Sequence, residues 1–248
     1  MDDTLAGKTA LITGGGHRIG RAIALSLAEE KVNCIIQSLP EHGESAAEVA
    51  EEIRAKGVEA RVIKADFSKP GGAEKIFAAL KKQKIEVKYL INNASMFEKS
   101  RLFEIDMKRL HSILSVNTFS PLILVRGFVR QTRRGAVINI LDTRISGYDA
   151  KYAGYGLSKT MLYHLTQMMA LECAPGIRVN AVAPGLILPP KGKGQVYLEK
   201  NRHRTLLNTY GSIKNITDSV IFLLKNDFIT GETVFVDGGE RLKQNRND

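Results

Sequence analysis

Cysteine is scarce in this 248-residue chain: Cys34 and Cys173 are the whole complement, far apart and without metal-ligand spacing. Such a pair argues against a disulfide framework and suits a reducing compartment, so packed thiols and a cytoplasmic location are expected. There is no HExxH, no Cys/His cluster and no serine-hydrolase elbow, so no resident metal is expected. No segment approaches about 18 consecutive apolar residues, and the opening MDDTLAGK has no basic stretch leading into an apolar one. Neither a membrane span nor a secretory leader is expected. Internal repeats, low-complexity tracts and domain boundaries are missing too, leaving residues 1–248 as one expected domain. Acidic residues are outnumbered, giving a net charge of +10. The cations are scattered, with short clusters at Lys81-Lys82, Arg133-Arg134 and Lys191 to Lys193, and no aromatic-interleaved stripe runs among them. Nucleic acid is therefore not the expected partner, whereas a polyanionic cofactor suits such a surface.

What is present is an alternation of short apolar runs and amphipathic segments. Lys8 to Thr13 (KTALIT) reads as a strand, followed by Gly14-Gly15-Gly16-His17-Arg18-Ile19-Gly20 and a helix from about Arg21 to Glu30. Strand, glycine-rich turn and helix N-terminus form a cradle for a pyrophosphate. A second strand spans Val32 to Ser38. An NAD-preferring site usually carries Asp or Glu near its end, to hold the ribose hydroxyl. Here Gln37 and Ser38 stand there, while His17 and Arg18 add basic groups to the turn. That combination favours a phosphorylated ribose, hence NADPH.

Helices are expected at Gly43 to Lys56, Gly72 to Gln83, Met107 to Thr132, Tyr155 to Ala174 and Ile216 to Leu224. Further strands are expected at Glu59 to Lys64, Tyr89 to Asn92, Gly135 to Leu141, Arg178 to Val182 and Thr233 to Val236. The alternation predicts an α/β domain of the Rossmann type, doubly wound, with about seven parallel strands. Several residues fall where such sheets do chemistry, at the strands' C-terminal ends. Asp66, with Phe67 after it, is either a turn residue or an adenine contact. Asn93, Ala94 and Ser95 suit backbone close to a cofactor, and Phe97 is either core or a stacking surface for a flat ring. Asn117 is a poor mid-helix residue that needs a reason, and Pro121 four residues on is expected to bend the helix. Pro184-Gly185 is a turn, and Leu188 to Arg204 is a candidate substrate lid with Gly192 and Gly194 as hinges. Asp142 sits where the GAVINIL strand ends, and Tyr155 and Lys159 lie four apart on one helix face. A cation beside a phenol is expected to lower its pKa toward the working range.

Thr13-Gly14 with Gly20, Asn92-Asn93-Ala94, Asn117, Tyr155-x-x-x-Lys159, Pro184-Gly185 and Asp237-Gly238-Gly239 occur in the order of one family. The chain resembles the short-chain dehydrogenase/reductases over essentially its whole length. In that family the Tyr is the general acid/base, the Lys holds the nicotinamide ribose, and the Asn anchors a water leading to the Lys. The resemblance thus implies those roles for Tyr155, Lys159 and Asn117. It also implies a cofactor bed of Gly14, His17, Arg18, Ile19, Gly20, Ser38, Asp66, Phe67, Asn93, Ala94, Ser95, Tyr155, Lys159, Pro184, Gly185 and Leu186, and a homotetramer with the segment around Asp237 to Arg241 near an interface.

Two departures narrow the resemblance. The family's catalytic Ser is replaced by Asp142, and the middle glycine of its fingerprint by Arg18. Both are similar to the pteridine reductase and dihydromonapterin reductase branch, whose members use NADPH to reduce pterins held against an aromatic of the Asn-Ala-Ser loop. That implies pterin contacts from Ser95, Phe97, Asp142, Tyr155 and Leu188. The weighed alternatives are a carbonyl reductase such as a 3-oxoacyl thioester reductase, and a non-catalytic NADP(H)-binding sensor.

Overall fold

In the computed structural model, which describes residues 4–190 and 192–244, buried apolar runs alternate with amphipathic helices along the chain. The strands are β1 (Thr9–Thr13), β2 (Asn33–Ser38), β3 (Ala60–Lys64), β4 (Tyr89–Asn92), β5 (Gly135–Ile140), β6 (Ile177–Pro184) and β7 (Thr233–Val236). They form a seven-stranded parallel sheet in the order β3-β2-β1-β4-β5-β6-β7. The order reverses between β1 and β4, which opens a crevice outside the strands' C-terminal ends. Central strands read as unbroken apolar runs because helices cover both faces.

The helices are α1 (Arg18–Glu29), α2 (Gly43–Ala55), α3 (Glu74–Lys82), α4 (Met107–Leu114), α5 (Ser120–Gln131), α6 (Ala153–Cys173), α7 (Val196–Asn201), α8 (Ile213–Lys225) and α9 (Glu240–Gln244). One core, with Ile12, Ile23, Leu27, Ile36, Ile53 and Val220, lies under α1, α2 and α8. The other, with Leu11, Leu80, Leu90, Phe128 and Val137, lies under α3, α5 and α6. Cys34 is packed in the first, and burial pushes its thiol up to about 12.

Three sequence expectations change. Helix α1 starts at Arg18 rather than Arg21, so its first turn belongs to the glycine-rich segment. The long helix expected from Met107 is interrupted by a π-helical turn at Ser115–Phe119. Pro121 has no N–H to return to the Asn117 carbonyl, and π bulges relieve such a defect without breaking the helix. The stretch Met107–Gln131 is long and apolar enough to cross a membrane, with a mean hydropathy of 1.4. Here its apolar stripe, including Ile113, Leu124, Val125 and Phe128, is buried inside the domain. Finally, the expected lid is part loop and part helix: Val196–Asn201 is α7, and Arg202–Arg204 is a 3-10 turn. Lys191, within that segment and its basic cluster, lies outside the described residues, as do Asn245 and Arg246 of the basic stretch Arg241 to Arg246, whose sequence reads as a solvated end.

A polar chain crosses the second layer: Asn92 Nδ2 donates to Asn139 Oδ1 (2.8 Å), and Asn139 Nδ2 donates to Thr166 Oγ1 (2.9 Å). It pins β4, β5 and α6, the elements that carry the site, in one register. Asn139 is fully buried, so removing it strands the Asn92 amide in apolar surroundings. Asn139→Ala is expected to lower stability by about 2–3 kcal/mol in urea unfolding, with the m-value unchanged.

Candidate active site

The crevice begins at a knot of hydrogen bonds around Thr13, the last residue of β1. Its hydroxyl donates to the Ile91 carbonyl (3.3 Å) and accepts from the amides of Asn93 (2.9 Å) and Ala94 (3.0 Å). Asn93 returns its side-chain amide to the carbonyls of Thr13 (2.9 Å) and Gly14 (3.2 Å). The Asn93 side chain therefore fastens two loops together. Gly20 packs so tightly here that a Cβ would collide with the Gly14 carbonyl, and a Cβ on Gly14 would stand 3.1 Å from Ala94 Cα. Such close approach of bare backbone, at a helix N-terminus, is what a pyrophosphate cradle requires.

At the end of β2, Gln37 is a buried brace: it accepts from Gly14 N (2.9 Å) and donates to the Ala65 carbonyl (2.7 Å). Ser38 Oγ beside it is buried with no hydrogen-bond partner from the protein. Lys64 is its register partner on β3, with a side chain that lies against Gly43 at the start of α2, and the ring of His17 lies 2.9 Å from Ser45 Oγ and 5.0 Å from the His42 ring. A buried unmatched hydroxyl at a strand end, with a lysine in register on the next strand, fits a phosphate. Arg18 takes a left-handed conformation, φ 49°, at a position where glycine is the unstrained residue. Its guanidinium donates to the Pro189 carbonyl (2.8 Å), so it joins the turn to the lid segment.

Other expected cofactor residues are placed less directly. Asp66 Oδ1 accepts from Ser68 N (2.9 Å) and Ser68 Oγ (2.6 Å), the turn role. The Phe67 side chain is buried in the core, which leaves its main chain as the part able to face a cofactor. Ile19 and Leu188 pack partly buried against the first core, and Leu186 is buried. Gly185 lies so close to Asp237 that a Cβ would stand 2.6 Å from the Asp237 Cβ.

The reacting end is built from β5, α6 and the loop after β4. Tyr155 Oη donates to Asp142 Oδ2 at 2.9 Å, joining the strand end to the helix. Lys159, buried on the next turn of α6, donates Nζ to the Ile140 carbonyl (2.7 Å) and lies 5.8 Å from the Tyr155 ring centroid. Asn117 accepts from Met96 N (2.7 Å) and donates to Met96 O (3.0 Å) and Ser158 Oγ (2.9 Å). Its side-chain groups are thus committed to holding the β4 loop on α6, and a water relay would fall to its main-chain carbonyl. This is the reason for a mid-helix Asn.

The electrostatics correct one expectation. Tyr155 is pushed well above its ordinary pKa, by burial first and by the Asp142 charge and hydrogen bond next; Arg144 and Ser95 oppose that. Burial also lowers Lys159, to about 8, with Asp142 acting against the shift. Desolvation and a carboxylate raise the phenol, where a neighbouring ammonium was expected to acidify it.

Sequence reasoning missed five residues. Arg144 pairs with Asp142 (3.2 Å) and lies over the rings of Phe97 and Tyr152. Phe97, half exposed, stacks on Tyr152 at 4.5 Å and meets Tyr155 edge-on at 4.7 Å, so the expected aromatic wall is two rings. Thr143 donates to Asp237 (2.8 Å), and buried Glu240 is paired with Arg204. Thr143, Arg144 and Tyr152 lie between Asp142 and Tyr155 in the sequence; Glu240 and Arg204 join only in three dimensions.

The buried Lys159 sets a pH dependence of stability. The unfolded chain keeps this proton to about pH 10.4 and the folded one only to about 8, so the unfolded state binds more protons between these values. The Lys159 contribution to stability therefore rises with pH through that window, against that of buried Cys34, whose raised thiol acts the other way. Between about pH 7.5 and 9.5 the wild type should gain about 2 kcal/mol relative to Lys159→Met, measured by urea unfolding of both proteins.

The family model described as enoyl-(acyl carrier protein) reductase matches residues 15–240. The 3-oxoacyl-[acyl-carrier-protein] reductase FabG of Staphylococcus epidermidis is 32% identical, over 94% of this chain and 98% of the relative. The crystal structure of FolM alternative dihydrofolate reductase 1 from Brucella canis, complexed with NADP, is 29% identical with a TM-score of 0.90, covering 99% of this chain and 98% of that one. The angucycline C-6 ketoreductase LanV with bound NADP is 27% identical with a TM-score of 0.88, covering 96% of this chain and 97% of that one. The overall fold agrees with these solved structures, and the chain belongs to the short-chain dehydrogenase/reductase family.

Proposed function

We propose that this protein is an NADPH-dependent reductase of a dihydropterin, giving a tetrahydropterin. The observation that carries the reading is the 2.9 Å hydrogen bond from Tyr155 to the Asp142 carboxylate, where the family places a serine. A serine orients a ketone oxygen with a neutral hydrogen bond; a carboxylate beside a developing alkoxide is repulsive. Reducing a ring C=N instead develops charge on nitrogen, which a proton neutralises, and a pterin carries N–H groups that a carboxylate can accept. The aromatic pair Phe97–Tyr152 offers a flat surface for such a ring. The match to an alternative dihydrofolate reductase points the same way.

NADPH, when bound, supplies the hydride for the ring carbon. The chain's part is to hold and protonate. Gly14, Gly20 and Ala94 cradle the pyrophosphate, while Ser38, His17 and Lys64 face the ribose phosphate. Lys159 holds the nicotinamide ribose. Tyr155 delivers the proton to the ring nitrogen, leaving a phenolate that is reprotonated from solvent. Asp142 either relays that proton or accepts substrate N–H groups. Ser95 and Leu188 complete the proposed substrate contacts.

A homotetramer is the proposed assembly. Leu157, Met161 and Met168 on α6 are exposed apolar side chains on a helix whose other side is buried. The segment around Asp237 and Glu240, by contrast, is buried within its own chain. A cytoplasmic location suits the two free thiols.

The second reading, reduction of a 3-oxoacyl thioester, is favoured by the 32% identity to FabG. Purified protein with NADPH is expected to oxidise the cofactor on addition of dihydromonapterin or dihydrobiopterin and not with an acetoacetyl thioester. Turnover confined to the thioester rejects the pterin reading. Tyr155→Phe and Asp142→Ala are expected to keep the wild-type circular dichroism and to lose about 10²–10⁴-fold in kcat; near-full activity in either removes its assigned role.

A further inference from the structure

Asp142 is surrounded by donors. Oδ1 accepts from the Arg144 amide at 2.9 Å, and Oδ2 accepts from Tyr155 Oη at 2.9 Å and from Arg144 Nη1 at 3.2 Å. A carboxylate has about four lone-pair directions, so three are taken and one on Oδ1 is left. Neither an amide nor a guanidinium can accept a proton, so both Arg144 contacts require lone pairs on Asp142. The guanidinium is itself fixed. Asp149 lies 3.7 Å from Nε, and the rings of Phe97 and Tyr152 lie 5.3 and 5.5 Å from its central carbon. It is about a quarter exposed, and the pair is tighter than a surface ion pair because Asp142 is also largely covered.

We propose that Arg144 is a positioning residue that clamps Asp142 as a hydrogen-bond acceptor beside Tyr155, so that the phenol alone donates the proton and the remaining lone pair of Asp142 takes an N–H of the substrate ring. This resolves the choice between relay and acceptor, and its substrate half rests on the pterin reading. The balance is simple: hydride to the ring carbon, the Tyr155 proton to the ring nitrogen, and no net change at Asp142. The clamp also ties the carboxylate to the aromatic wall, since one guanidinium touches both. Other charged and titratable groups around it are Tyr155 and Lys159 from α6, Asp149 from the preceding loop, and Glu240 from α9. Glu240 is held by Arg204 and Lys159 by the Ile140 carbonyl, leaving Arg144 as the described cation in direct contact with Asp142.

The test follows the Asp142 carboxyl carbon by NMR at one fixed pH in aspartate-carboxyl-labelled enzyme, the resonance assigned from Asp142→Asn. Losing the Arg144 contacts should move that resonance in Arg144→Ala, while Arg144→Lys, which keeps a cation beside the carboxylate, stays close to wild type. Coincident resonances in all three proteins overturn the clamp. If Arg144→Ala does not fold, Arg144→Gln, which keeps the bulk without the charge, replaces it. In parallel, kcat/KM with dihydropterin should fall about tenfold or more in Arg144→Ala and be largely restored in Arg144→Lys. A moved resonance in Arg144→Ala, with a wild-type enzyme that does not turn over dihydropterin, supports the clamp and rejects the pterin reading. Dihydropterin turnover with an unmoved resonance rejects the clamp and keeps the pterin reading.

Discussion

The architecture depends on one junction, the Thr13 hydroxyl shared between β1 and the loop after β4. A doubly wound sheet leaves a crevice where its order reverses, but a crevice between two loops is only as defined as the bonds that hold them. Thr13 supplies one donor and accepts two amides, and Asn93 closes the same gap from the other side. Because these groups are satisfied by one another, the bare backbone of Gly14, Gly20 and Ala94 can face the crevice at a fixed spacing. The cofactor bed follows from this, as does the position of the loop that carries Ser95 and Phe97.

The second half of the site hangs on that loop through Asn117. Its side chain bonds both main-chain groups of Met96 and the Ser158 hydroxyl, so the loop after β4 cannot move without α6. The Tyr155–Asp142 pair is thereby aligned with the aromatic wall by a chain of short polar contacts. The same burial that fixes the geometry sets the proton chemistry. It raises Tyr155 and lowers Lys159, both toward their neutral forms. A neutral phenol that holds its proton until a basic nitrogen forms beside it is suited to protonating a reduced imine rather than to initiating attack.

The relatives span acyl-thioester, ketone and dihydrofolate chemistry on one scaffold. The scaffold itself is therefore neutral among them. Under the proposed reading, position 142 is where the choice is made, since a carboxylate there puts a charge beside Tyr155. Arg144 is its direct partner: a carboxylate largely covered and bonded to a buried phenol, with no cation beside it, would carry its desolvation cost unopposed.

Strand and helix order were legible in sequence because apolar periodicity and glycine placement are local properties. Tyr155 and Lys159 were legible because four residues on a helix face are neighbours wherever the helix lies. The bond between Tyr155 and Asp142 was only suggested, and its closing needed the register of β5 against α6. What local reasoning misjudged was the sign of the Tyr155 shift, since a nearby ammonium is visible in sequence and the degree of burial is not. The π turn at Ser115–Phe119 was half visible, Pro121 marking a missing donor while packing decided how the helix absorbed it. Gln37 stood out only as a missing acid, Asn93 for its backbone and Asn117 as a water anchor or a surface residue, and the side chains of all three are spent on bracing the fold. Residue types and their order were thus enough for the family and for the proposed reacting pair. Which polar groups remain free for a ligand was decided by tertiary structure alone, because hydrogen-bond satisfaction depends on partners 20 to 80 positions away in the chain.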